Sequence, residues 1–307
     1  MFETPILLIT FNRPGHTAEV LAQIKKQMPR YLYIFQDGPR ESVPEDVEKC
    51  NSVKELIKKE VNWDCELKTL YSLENMGCGF GPEKAITWFF DHVEEGIILE
   101  DDCFPAQSFF SFCSLMLNKY RYNEKIYMIT GTNFLLKWKD HKYSHIITLM
   151  GNHTGWASWK RAWKSFDYQM LSWNTEEGKN KIRELLKREY YYHYSDLFDK
   201  YVNYQLNDIW DYQWLFARWL NGGKTIVSTK NLISNIGFDP EGTHTLSYNS
   251  MMAKLPVFEM DLKSLILPTK VDKCYDWIIF ERYVNPRKRT IVKRIILKLL
   301  KIYYNLN

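Results

Sequence analysis

The 307-residue chain has few of the features that commonly name a function on sight. Its six cysteines (Cys50, Cys65, Cys78, Cys103, Cys113 and Cys274) form no C-x-x-C pair and follow no regular spacing, which argues against a zinc cage and a disulfide framework. Reduced thiols in a cytosolic protein are the expectation. No apolar stretch approaches the roughly 18 residues of a membrane span. Pro5 to Ile9 is apolar, but too short for a signal h-region and without a basic n-region, so no secretory leader is expected. No internal repeat and no low-complexity linker interrupts the chain. The glycine-rich segment Asn75-Met76-Gly77-Cys78-Gly79-Phe80-Gly81-Pro82 lacks the lysine of a P-loop and the G-x-G-x-x-G order of a dinucleotide fingerprint.

Apolar residues make up 45% and charged residues 25%, the balance of an ordinary globular chain long enough to bury a large core. Aromatic residues reach 16%. Aromatic-rich surfaces stack on sugars and bases, although core packing absorbs most such side chains. The formal net charge of +4 is uneven, because Arg287 to Asn307 carries seven basic residues and no acid. Val292, Ile295, Ile296, Leu299, Leu300 and Tyr303 recur there at helical spacing, with Arg294, Lys298 and Lys301 on another face. That pattern predicts a basic amphipathic helix, suited to an anionic membrane surface or to packing on its own domain. Nucleic acid is not expected, since the basic cluster is local and no recognition motif accompanies it.

Strand and helix patterns alternate through the first half. Strands are predicted at Pro5–Thr10, Tyr31–Gln36, Glu66–Tyr71, Ile97–Leu99 and Ile126–Thr130. Helices are predicted at Thr17–Lys26, Val43–Glu60, from about Pro82 through Phe90, and at Ser108–Tyr120. This rhythm implies a largely parallel sheet covered by helices on both faces. Beyond residue 135 the rhythm degrades: strands at Ser144–Leu149 and Thr225–Ser228, and helices at Trp159–Phe166, Glu176–Asn203 and Asp208–Leu220, are predicted to pack onto the first sheet as a subdomain.

Gly96-Ile97-Ile98-Leu99-Glu100-Asp101-Asp102 is an apolar run that ends in three carboxylates. Ligands bind at the carboxyl ends of parallel strands, and three adjacent acids there call for a compensating cation. Hard oxygen ligands suit Mg²⁺ or Mn²⁺, which points to phosphate chemistry. Arg13, after the first strand, is placed to hold a phosphate or a base, and Asp37 follows the second strand just before a turn. The glycine-rich segment opens a helix whose N-terminus favours anions. Trp156 and Trp159 read as core residues from pattern alone. Asp211, between Trp210 and Tyr212, reads either as a general base or as an acid starting a solvated helix. His244 is a lone loop histidine, structural or completing a metal shell.

The order of Thr10-Phe11-Asn12-Arg13, Gln36-Asp37-Gly38, Glu100-Asp101-Asp102, Gly155-Trp156 and Trp210-Asp211 resembles the GT-A glycosyltransferases related to N-acetylglucosaminyltransferase I. Gly155-Trp156-Ala157-Ser158-Trp159 and the later Gly242-Thr243-His244-Thr245 also resemble bacterial surface-polysaccharide enzymes of lipopolysaccharide type. The likeness spans residues 4 to 246. It implies a Rossmann-like, mostly parallel GT-A sheet flanked by helices. Residues 1–134 would form the nucleotide-sugar-binding half and 135–250 the acceptor half, with 251–307 an extension carrying the basic helix.

The resemblance further implies an inverting transfer from a UDP-sugar, UDP-GlcNAc or another UDP-hexose, to a hydroxyl of a cell-surface or lipid-linked glycan. Asp102 would bind Mn²⁺ (or Mg²⁺), with His244 a further metal ligand. Arg13, Asp37, Glu100, Asp101 and Trp156 would hold the nucleotide-sugar, Asp37 pairing with the uracil. Asp211 would be the general base. The expected setting is cytoplasmic and peripheral, on the inner face of the cytoplasmic membrane. A metal-dependent nucleotidyltransferase and a non-catalytic nucleotide-sugar-binding protein are the alternatives.

Overall fold

The computed structural model describes residues 1–204, 208–238, 253–262, 266–286 and 290–303. Its first half alternates as the sequence pattern predicts: β1 (Ile6–Thr10), α1 (Pro14–Gln27), β2 (Tyr31–Gln36), α2 (Glu45–Glu60), β3 (Glu66–Tyr71), α3 (Gly77–His92), β4 (Glu95–Glu100), β5 (Cys103–Pro105), α4 (Gln107–Tyr120) and β6 (Ile126–Thr130). There follow β7 (His145–Thr148), β8 (Trp156–Trp159), α5 (Lys160–Trp163), α6 (Glu176–Leu185), α7 (Arg188–Val202), α8 (Asp211–Leu220), β9 (Lys224–Ser228), β10 (Ile233–Asn235), α9 (Lys273–Ile279) and α10 (Ile291–Tyr303).

Eight strands make one sheet in the order β3-β2-β1-β4-β8-β6-β9-β7. β3, β2, β1 and β4 pair in parallel, and β6 pairs in parallel with β9. β8 runs antiparallel between β4 and β6, and β7 is antiparallel to β9. The protein is thus a mixed α/β fold with a mostly parallel sheet. Alternation along the strands explains the layers. Ile6, Leu8, Leu32, Ile34, Ile97 and Leu99 face α1, α2 and α4, while Leu7, Ile9, Phe35 and Ile98 face α3 and α8. Each such fully buried side chain contributes roughly 1.5–3 kcal/mol. Of the sheet's two edges, β3 is blunted by exposed Glu66 and Lys68.

Three local readings of the sequence are corrected. Trp159 ends a strand instead of starting a helix: Trp156 to Trp159 are all buried between two strands, a position that favours extended backbone. The single helix expected from Glu176 to Asn203 is two helices, because Leu186 and Lys187 adopt extended backbone (ψ 148° and 150°). The helix placed at Pro82 begins five residues earlier, at Gly77.

The described residues between 266 and 303 pack on the same body as the sheet. Val271 bridges Ile147 on the β7 edge, and Tyr275, Ile278, Ile279 and Phe280 are buried in a second, aromatic-rich core with α6, α7 and Trp219. α10 rests on that core through Leu297 and Leu300, and Lys293 Nζ pairs with Glu189 at 2.5 Å and Glu281 at 2.6 Å. Its other apolar face is open: Ile291, Val292, Ile295, Ile296 and Leu299 are exposed. No helix among the described residues is long and apolar enough to cross a membrane.

Candidate active site

Parallel β1, β2 and β4 bring their carboxyl ends to one edge of the sheet, and a cavity of about 490 Å³ opens there. Arg13, Asp37, Glu100, Asp101, Asp102 and Asp211 all line it. Residues as far apart in sequence as Arg13 and Asp211 therefore meet in one space.

The acid cluster is organised by a single arginine. Arg13 Nη2 donates to Asp101 Oδ1 and, at 3.3 Å, to Asp102 Oδ2. Burial disfavours the guanidinium charge, but Asp101 and Asp102 more than offset it, so Arg13 is held firmly protonated. Burial, Asp102 and Asp101 together push the Glu100 carboxyl up to about 8. Burial also lifts Asp101 above the ordinary carboxylate range, with Arg13 working against that lift. Asp102 is less committed than Asp101: Arg13 Nη2 meets its Oδ2 at 3.3 Å, and the Cys103 thiol lies 3.6 Å from its Oδ1. The backbone at Gly237 closes over this pair, where a Cβ would stand 2.5 Å from Asp102 Oδ2 and 2.9 Å from Arg13 Nη1.

Asp37 has a different occupation from the one the resemblance implies. Its carboxylate accepts from the N–H groups of Gly38, Met76 and Gly77 and from Asn75 Nδ2, all at 2.9–3.1 Å. Those donors fill both oxygens, which leaves no free acceptor for a nucleobase. Asp208, which the sequence reading did not single out, accepts from Gly79 N–H at 2.8 Å. The N-terminus of α3, expected to favour an anionic ligand, is thus capped by two carboxylates of the protein itself. Gly77 sits at φ +75°, and a Cβ there would collide with the Asp208 carboxylate.

Asp211 is the first residue of α8 and also lines the cavity. Facing it is His153, whose Nε2 lies 4.0 Å from Asp211 Oδ2. The sequence reading missed His153. Its available signal was the glycine-flanked segment Gly151-Asn152-His153-Thr154-Gly155, which follows a predicted strand. Trp210 lines the cavity beside them. Trp156 does not belong to the lining: it is 1% exposed, and its indole stacks on Trp210 at 5.8 Å from below. The antiparallel insertion of β8 turns it into the core, so the donor contact expected of Trp156 is replaced by support of Trp210. His244 lies outside the described residues.

Counted over the described residues, six carboxylates (Asp37, Glu100, Asp101, Asp102, Asp208 and Asp211) and two guanidiniums line the cavity. Arg13 is spent on Asp101 and Asp102, and Arg40 on Asp46 at 2.6 Å. Even with Glu100 largely protonated at neutral pH, carboxylates outnumber guanidiniums there, so the space is electronegative. No group of three His, Cys, Asp or Glu side chains among the described residues forms a ready metal cage. The donor set fits a cation held by one carboxylate and completed by ligand oxygens, the habit of Mg²⁺ at phosphates.

No protein-family model matches the chain, and no curated protein matches it either. Among solved structures, it is similar to the galactosyltransferase LgtC in complex with donor and acceptor sugar analogues (8% identity, 82% of this chain and 84% of that one, TM-score 0.38). It is also similar to a UDP-glucose pyrophosphorylase complexed with UDP-glucose (11% identity, 76% and 93%, TM-score 0.36). A cytidylyltransferase from Leptospira borgpetersenii matches at 12% identity over 54% of this chain, with a TM-score of 0.33. The chain spans 64% of the length of that cytidylyltransferase. Both glycosyl- and nucleotidyltransferases thus stand among its structural neighbours.

Proposed function

We propose that the protein is a metal-dependent glycosyltransferase of GT-A type, moving a sugar from a UDP-sugar to an acceptor hydroxyl with inversion. One observation carries the reading. A strand-end acid cluster and a separate carboxylate at a helix start, Asp211, line the same electronegative cavity. A diphosphate enters such a space only with a cation, and Asp102 has the carboxylate to share with Mn²⁺ or Mg²⁺. The ion would supply Lewis-acid stabilisation of the charge developing on the departing nucleotide. Asp211 takes the proton of the attacking hydroxyl, and a single displacement follows. Arg13 keeps Asp101 and Asp102 in register beside the diphosphate.

The test is UDP release from a panel of UDP-sugars in the presence of Mn²⁺. Asp211→Asn is expected to lower turnover about 10²–10⁴-fold while donor affinity holds. Asp102→Ala is expected to abolish Mn²⁺-dependent UDP binding by calorimetry. Pyrophosphate release would instead establish nucleotidyl transfer, and donor binding with no release a binding module.

The acceptor side is read from α10. Its open apolar stripe, beside Arg294 and Lys298, suits the surface of an anionic bilayer bearing a lipid-linked glycan. Sedimentation with phosphatidylglycerol vesicles and release by salt would support this placement on the inner membrane face. Equal binding to phosphatidylcholine vesicles, or none to either, would refute it.

A further inference from the structure

His153 stands on a short loop that the fold holds still. Thr132 Oγ1 donates to the Thr154 carbonyl at 2.6 Å, Thr154 N–H donates to Asn152 Oδ1 at 2.7 Å, and Gly131 N–H donates to the Gly155 carbonyl at 3.2 Å. At the loop's other end, a Cβ on Gly151 would lie 2.7 Å from the Thr225 side chain, so the backbone passes directly against β9. The imidazole meets Trp210 edge-on, with ring centroids 4.9 Å apart. Trp210 is in turn fixed by Trp156 beneath it. The His153 loop and Trp210 are therefore anchored, and among the described residues the ionisable side chain paired with His153 is Asp211.

We propose that His153 is a positioning residue for Asp211, holding one oxygen of that carboxylate so that the other faces the acceptor hydroxyl. The proposal rests on the glycosyl-transfer reading and deepens it. The Nε2–Oδ2 separation of 4.0 Å is one side-chain adjustment from a hydrogen bond. Such contacts commonly tighten only when substrate is bound. A carboxylate at the start of a helix, with about a third of its side chain exposed, has several rotamers open to it. An imidazole fixed at one side removes most of them.

The charge state of His153 decides whether the contact helps or hinders. Burial holds its pKa down; Asp211 opposes, Arg218 lowers it further, and Asp102 opposes. Arg218 lies two turns along α8 from Asp211 and is 2% exposed, with the Thr225 hydroxyl as a hydrogen-bond partner. Its buried charge stands behind the histidine and favours the neutral ring. A neutral imidazole that donates through Nε2–H leaves Asp211 anionic and basic. A protonated one would form an ion pair and reduce the basicity of that carboxylate.

Two measurements on the full chain test the assignment. The first is UDP release with Mn²⁺ and the UDP-sugar that turns over. His153→Ala is expected to lower kcat about 10–100-fold with donor KM within about twofold, because the base is misplaced while donor contacts are untouched. His153→Gln, which keeps an N–H at that position, should recover most of the loss. In an Asp211→Asn background the same His153→Ala change should have no further effect. A loss below twofold, a matching rise in donor KM, or effects that multiply in the double variant would overturn the proposal.

The second measurement needs no turnover. Long-range ¹⁵N spectra of the histidine ring at neutral pH should show the Nε2–H tautomer, with shifts that move in Asp211→Asn. Unchanged shifts would overturn the pairing whatever the activity. If the pairing is seen but no UDP-sugar is consumed, the glycosyl-transfer reading fails and the contact between the two residues stands.

Discussion

Asn75 Nδ2 donates to Asp37 Oδ2 at 3.0 Å, and the same amide donates to the Gly38 carbonyl at 2.9 Å. Asp37 is thereby the knot that ties the end of β2 to the start of α3. Removing it as Asp37→Ala leaves the Met76 and Gly77 N–H groups without their acceptor. A loss of about 2–3 kcal/mol in urea unfolding is expected. Asp37→Asn should weaken UDP and CDP binding by the same factor in calorimetry, since the carboxylate shapes the loop and does not read the base. A selective loss for UDP would restore the uracil contact implied by the resemblance.

Arg13→Ala strips two aspartates of their shared partner and leaves Asp101 buried at 2% exposure. Breaking a buried pair from one side costs about 3–5 kcal/mol, and that loss should be visible in chemical denaturation. Asp101→Asn added to Arg13→Ala should return part of it, because the orphan charge is then gone.

Trp156 separates a supporting role from a ligand contact. Trp156→Ala should cost about 3–5 kcal/mol through the cavity it opens. Trp156→Phe should cost less and leave donor affinity near the parent value. A large affinity loss in a well-folded Trp156→Phe protein would show that the indole touches the donor.

His145 supplies a pH dependence far from the cavity. Burial, with Lys119 adding to it, takes its pKa down to about 4, and its ring nitrogens meet Tyr120 Oη and Ser144 Oγ at 2.8 Å each. The unfolded chain binds the proton near pH 6.5, so between about 6.5 and 4 it holds more protons than the native state. Stability from this group is full above pH 6.5 and falls on acidification, by on the order of 3 kcal/mol at the low end. Urea titrations at pH 7 and pH 5 should show a smaller difference for His145→Gln than for the parent.

Gly237→Ala tests the closeness of the backbone to the acid cluster. The new methyl needs the space of Asp102 Oδ2, and that oxygen has to move. The thermal stabilisation given by Mn²⁺ plus UDP should shrink, and the melting point without ligand should fall too, because Asp102 Cβ at 2.8 Å and Arg13 Nη1 at 2.9 Å must also give way.

The first sheet strands and their helices were legible because each signal is local. Ile6 to Ile9 and Gly96 to Leu99 are short apolar runs, and both are buried on two faces. The acids after Leu99 were legible as a candidate site for the same reason, since a strand end next to three carboxylates is a pattern of consecutive residues. What escaped depends on partners distant in sequence. Trp156-Ala157-Ser158-Trp159 is a strand only because β4 and β6 leave a gap for it, and its four residues carry no periodicity of their own. His153, Asp208 and Asn75 lie on loops, where nothing in the composition says which side chain turns inward. Asp37 was found, but its hydrogen-bond partners were not, so its position was legible and its occupation was not.

The place of β8 in the sheet also sets an order of events during synthesis. β4, the strand that carries Glu100, has β1 on one side; its other neighbour is made of residues 156–159. Until that stretch leaves the ribosome, a nascent chain that has completed its first four strands presents an unpaired row of backbone donors and acceptors along Gly96, Ile97 and Ile98. Such an edge recruits other chains, and it opens beside the most acidic stretch of the site. Residues 1–134 made alone would keep that edge permanently, so the first half of the molecule depends on the second to cover it.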